Sequence, residues 1–179
     1  MTIEISEKHA LLIREFLTQW WLGITQEATR TSSEVVFPSL SSEELQDGEL
    51  GRMLRLIALA AEGKLNNDPD RAGEVSMAVF DLLEMLWSRP GCPELVDPPL
   101  AFWTGEFGYM VLQADVWASQ DRLITMKEAA SILNISLQSL RNKVNAGGLS
   151  EYRDISERNP RRAARLRLHE VQGLLKKNA

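Results

Sequence analysis

The sequence predicts a mainly α-helical protein in two parts: an N-terminal helical bundle, then a small C-terminal module of helices and one short β-hairpin. Three observations predict it. Apolar residues recur at spacings of three and four through most of the first 120 residues, and a strand-like pattern appears only after residue 148. Charge is divided between the same two regions. Residues 122–179 carry 12 Lys/Arg against 5 Asp/Glu (+7), while residues 1–121 carry 8 against 20 (−12), in a 179-residue chain of net charge −5. The step places a boundary at 121/122 and implies different partners for an acidic domain, 1–121, and a basic one, 122–179. Nucleic acid is the commonest partner of a compact basic domain.

The acidic part reads as four helices. Ile13, Phe16, Leu17, Trp20, Trp21 and Ile24 form one apolar stripe. Leu50, Met53, Leu54, Ile57 and Ala61 form a second, whose start is marked by Ser41-Ser42-Glu43-Glu44, a serine cap followed by acidic residues that suit the positive end of the helix dipole. A third runs from about residue 69 to 88 with Val75, Val79, Leu82, Leu83 and Leu86 inward, and Arg89-Pro90-Gly91 stops it. Pro90, Pro93, Pro98 and Pro99 make 89–100 a loop, and 29–38 reads as another. The fourth, 102–120, aligns Trp103, Phe107, Met110, Ala114 and Trp117; it either belongs to the bundle or acts as a connecting helix. The tryptophans lie among Leu and Ile at helical spacing and are expected in the core.

Several function classes find no residues here. The single cysteine, Cys92, stands beside prolines with only Arg89 to activate it, so it reads as an incidental thiol in a reducing compartment. His9 and His169 lie far apart, and no His/Cys/carboxylate set has metal-ligand spacing. Neither a phosphate-binding glycine loop nor a nucleophile elbow occurs. The expectation is a protein that is not an enzyme, uses no cofactor or metal, has no secretory signal or membrane span, and works in the cytoplasm.

The basic part is the most informative. Thr125 and Glu128 fit a capping box opening a short helix, 126–133, in which Ala129 and Ala130 permit close approach of a second helix. Asn134 tolerates the left-handed conformation that ends a helix sharply, and Ser136 caps the next. On that helix, 137–145, Leu137, Leu140 and Val144 are expected inward, leaving Gln138, Arg141, Asn142 and Asn145 outward. Gly147 and Gly148 end it. Residues 149–154 read as a short strand, 155–163 as a turn-rich basic tip containing Arg158, Arg161 and Arg162, and 164–168 as a second strand with Leu166 and Leu168 on one face and Arg165 and Arg167 on the other. Residues 169–175 close the module as a helix. Lys176 and Lys177 suit a helix C-terminus better than a ligand contact.

Over about 55 residues this pattern resembles the winged helix-turn-helix of MerR-type regulators and phage excisionases. The match is carried by Leu123-Ile124-Thr125, Glu128-Ala129-Ala130, Leu133-Asn134-Ile135-Ser136, Gly148, and Arg165-Leu166 through Glu170-Val171. Asn134 stands at the usual turn glycine, and the cysteine cluster of metal-sensing MerR proteins is missing. The resemblance implies a sequence-specific binder of double-stranded DNA, a transcriptional regulator of prokaryotic or phage type, with helix 137–145 in the major groove and the hairpin wing on the backbone or minor groove. The residues so implicated are Ser136, Gln138, Ser139, Arg141, Asn142, Lys143 and Asn145 on the helix, and Arg158, Arg161, Arg162, Arg165 and Arg167 on the wing. A homodimer formed through the bundle would supply a second half-site. The alternative is a protein-interaction adaptor whose winged helix binds no DNA.

Overall fold

The computed structural model describes residues 4–31, 40–66, 68–87 and 98–178. They form a mainly helical chain with a small three-stranded antiparallel sheet. The helices are α1 (Glu7–Thr31), α2 (Ser42–Asp47), α3 (Glu49–Ala61), α4 (Pro69–Trp87), α5 (Leu100–Trp103), α6 (Glu106–Ala118), α7 (Met126–Ile132), α8 (Leu137–Asn145), α9 (Pro160–Ala163) and α10 (Leu168–Asn178); the strands are β1 (Leu123–Thr125), β2 (Tyr152–Arg153) and β3 (Ala164–Arg167).

Two expected helices are each divided. The stretch opened by Ser41 forms α2 and α3, joined at Gly48, and the capping box comes from Ser41 and Glu44. The expected fourth helix is α5 and α6, with Thr104 and Gly105 between them. A tight crossing follows each break. A Cβ on Gly51 would fall 2.1 Å from the Gln46 carbonyl oxygen, and one on Gly108 would fall 2.0 Å from that of Phe102. Apolar spacing alone does not reveal such breaks, because the stripe continues across them. Helix α1 extends to Thr31, into the expected loop, whose residues 32–38 lie outside the described residues. So do residues 89–97 of the proline-rich segment, Cys92 included.

Two hydrophobic clusters organise the chain. The first is built by α1, α3, α4 and α6 around Leu17, Leu54, Ile57, Val75, Leu82 and Met110. Trp103 and Trp117 pack against it but, like Trp20 and Trp21, are only half-buried; the latter two line a groove. The second joins Ile124, Ala129, Ala130, Leu140, Leu149, Leu166 and Val171. Helix α6 touches both regions. Met110, Val111 and Ala114 enter the first cluster, while Tyr109 and Asp115 reach residues of the sheet region. Its residues 108–112 and 114 are all buried, because it packs against neighbours on more than one side.

Strand β1 was not expected, since no convincing strand pattern precedes residue 148. Three residues are too few to show alternation, and its partner lies some forty positions away: Ile124 pairs with Leu166 and Thr125 with Arg165. Strand β3 is central, with β2 on its other edge and Tyr152 opposite Arg165. The second expected strand stops at Arg167, because Leu168 opens α10 with its amide donating to the Arg122 carbonyl. The basic tip includes the single turn α9, whose Ala163 is buried.

Candidate nucleic-acid interface

Helix α8 is held in place by local chemistry. The Thr125–Glu128 capping box forms, with the Glu128 amide donating to Thr125 Oγ1 at 3.2 Å and the Thr125 amide donating to Glu128 Oε2 at 2.7 Å. Those hydrogen bonds hold the Glu128 carboxyl below its ordinary value. Asn134 has φ +52°, and the Ile135 amide returns to the Ala130 carbonyl at 3.0 Å, so the chain reverses within two residues. Ser136 then caps α8, its Oγ accepting from the Ser139 amide at 3.1 Å. At the far end Gly147 adopts φ +75° and Gly148 donates to the Lys143 carbonyl.

Leu140 alone is fully buried on α8, and Val144 is half-buried. Leu137, expected inward, is 37% exposed. As the first residue of the helix it sits where the chain enters from the turn, beyond the reach of the second cluster. Gln138, Ser139, Arg141, Asn142, Lys143 and Asn145 are exposed, as is the cap Ser136. The Ser136 and Ser139 hydroxyls lie 2.9 Å apart, and Gln138 Nε2 donates to Asn142 Oδ1 at 3.2 Å. Among the described residues neither Arg141 nor Lys143 has a carboxylate partner.

The five hairpin arginines implicated by the resemblance fall into different settings. Arg158 and Arg162 are exposed, and the side chain of Arg161, in α9, lies outside the described residues. Arg165 and Arg167, expected on an outer basic edge, are turned onto the rest of the protein. Arg165 Nη2 meets Asp154 Oδ2 at 2.7 Å, and Arg167 Nη2 binds Asp115 Oδ2 of α6. Their side chains are 16% and 12% exposed, which leaves little of either guanidinium for an external anion. The Arg167 guanidinium also lies 5.4 Å from the centre of the Tyr152 ring, which in turn meets Trp103 of α5 edge-on at 6.2 Å. The sheet face that alternation marks as outer is therefore covered by α5 and α6.

The surroundings of these arginines are polarised accordingly. Burial works to raise the Asp154 carboxyl, but hydrogen bonds from Ser156, the charge of Arg165 and a bond from Tyr109 outweigh it and hold it below its ordinary value. Burial, and then the negative charge of Asp154, push the Tyr109 phenol up to about 12, so it stays a donor at every physiological pH. Burial opposes the charge on Arg167, and Asp115 more than compensates. His169, the second residue of α10, is bound from outside the helix. Asp121 Oδ1 accepts from the His169 amide at 3.1 Å, and its other oxygen meets the ring Nδ1.

One residue escaped sequence reasoning. Lys127, on the first turn of α7, lines a cleft of about 250 Å³ with Arg162, Arg165 and Glu157. The pairing of Thr125 with Arg165 brings it there, so reading 123–125 as a strand beside β3 would have found it. Arg158 and Arg162 near the tip and Lys127 of α7 are thus exposed cations, as are Arg141 and Lys143 of α8. Among the described residues no group of His, Cys and carboxylates is placed to hold a metal ion, and no helix is long and apolar enough to cross a membrane. Comparison with known proteins gave no match to a family model, a curated protein or a solved structure.

Proposed function

We propose that residues 122–179 form a winged helix-turn-helix that binds duplex DNA, with α8 in the major groove and the segment between β2 and β3 against the backbone. The observation that carries this reading is the face of α8. Its one fully buried side chain, Leu140, anchors a helix whose remaining surface offers Gln138, Arg141, Asn142 and Asn145, side chains able to form paired hydrogen bonds with base edges, together with Lys143. The tight Asn134 turn and the three-stranded sheet behind α7 and α8 support the same reading. The phosphate contacts fall to Arg158, Arg162 and Lys127, with Arg165 and Arg167 serving as internal braces. One such module covers one half-site, so specific binding calls for a second copy or a partner.

Fluorescence anisotropy of the intact chain on random duplex DNA across a salt titration, followed by sequencing of the bound fraction, tests the proposal. The expected result is steep salt dependence and an enriched motif. Arg141→Ala should weaken the enriched site more than random DNA, by about 1–3 kcal/mol at one position. Arg162→Ala should weaken all sequences alike and lower the salt slope by about one unit. Absence of binding at low salt by the folded protein would favour the adaptor reading, for which the exposed Leu137 at the head of α8 provides an apolar contact.

A further inference from the structure

We propose that the groove between α1 and α4 is a docking site for a basic amphipathic helix of a partner protein. The groove encloses about 490 Å³ and is lined by Leu17, Trp20 and Trp21 from α1, Leu50 and Met53 from α3, and Met85 from α4. Aromatic rings, leucines and adaptable methionines are the side chains that receive the apolar face of a helix. Among the described residues its charged lining is of one sign: Glu44, Glu49 and Asp81 stand on it, and no Lys or Arg does. Glu44 is engaged in the Ser41 cap, but among the described residues neither Glu49 nor Asp81 has a cationic partner. An occupant that buried the apolar floor and carried carboxylates would leave like charges facing each other at the rim; one carrying lysines or arginines pairs them.

The extent of the surface selects a helix over a small ligand. Beyond Asp81 and Met85 the same side of α4 continues, at helical spacing, to Met77 and Phe80, which are 59% and 48% exposed. A compact ligand seated in the groove leaves these two bare, whereas a helix lying along α4 covers them together with the groove. The charge of residues 1–121, −12, attracts the same partner from a distance. This inference does not rest on the DNA reading, since no residue is shared between the two surfaces.

The test uses the full chain and a synthetic peptide of ~18 residues, long enough to form a helix on binding, with Leu at i, i+3, i+4 and i+7 and Lys elsewhere. Two comparison peptides keep its composition in scrambled order or replace Lys by Glu. Tryptophan fluorescence should report saturable one-to-one binding of the patterned Lys peptide, at least tenfold tighter than either comparison peptide. Glu49→Gln combined with Asp81→Asn should weaken it about tenfold, and Met85→Lys at least as much, while Glu7→Gln combined with Glu15→Gln, outside the groove, should leave it unchanged. If Met85→Lys does not fold, the Glu49/Asp81 pair decides. Equal binding of the scrambled peptide, equal loss in the Glu7/Glu15 pair, unchanged binding in the groove variants, or a dimer of the chain that Met85→Lys dissolves would overturn the proposal.

Discussion

Arg167 shows most plainly what alternation along a strand can and cannot say. Its spacing from Leu166 places it on the face opposite the second cluster, and the structure agrees. Spacing is silent about what covers that face, because a period of two distinguishes sides and not neighbours. The cover is supplied by Asp115, Tyr152 and Trp103, which lie 52, 15 and 64 positions away. The pair is well shielded, and Arg167 Nε is buried with no acceptor among the described residues, so the net worth of the brace is moderate. Arg167→Ala should therefore destabilise the fold by about 2 kcal/mol in urea unfolding, since it strands Asp115 and uncovers Tyr152. It should leave the salt slope of any DNA binding unchanged. A lowered slope at wild-type stability would instead put Arg167 in contact with phosphate.

Elements specified within a few residues were legible, and those specified at a distance were not. The serine cap of α2, the capping box of α7, the Asn134 turn and the glycine end of α8 are decided by hydrogen bonds spanning six residues or fewer, and each was readable. Strand β1 and the breaks at Gly48 and Gly105 depend on what packs against them. The α5–α6 corner is the sharpest example. Gly108 lets α6 pass against the Phe102 carbonyl, and that contact sets the position of Trp103 beneath Tyr152. Gly108→Ala has no room without moving α5, so a loss of about 3 kcal/mol is expected. Near-ultraviolet circular dichroism should change with it, because Phe102, Phe107 and Trp103 would be displaced together. An unchanged spectrum and melting temperature would show that the close approach of Gly108 to Phe102 does not set the corner.

Across the whole molecule, the charge division at residue 121 predicted two regions of different character but not the polar contacts linking them, since total charge carries no geometry. The acidic part has its own charge-dependent clasp. Glu62, at the end of α3, binds the Ser6 amide at 2.8 Å, His9 Nδ1 at 2.6 Å and Lys64 Nζ at 2.8 Å. Burial works against its charge, but the bonds from Lys64, Ser6 and His9 win and bring its carboxyl from 4.5 down to about 2. A carboxyl lowered in this way stabilises the fold fully above its unfolded value and loses that contribution as pH falls from 4.5 through about 2. Glu62→Gln should cost about 2 kcal/mol at pH 7, and the gap between variant and wild type should close across that acid range. A gap that stays constant with pH would show that the clasp acts through packing alone. The contact between Arg167 and Asp115 has a further consequence, for portability. Residues 122–179 grafted onto another protein would arrive without Asp115, Tyr109 and Trp103, and without the neighbouring excess of negative charge. The Arg167 guanidinium would then be unmasked, and, if the module binds DNA as proposed, the transplanted piece should bind polyanions more tightly and less selectively than the intact chain.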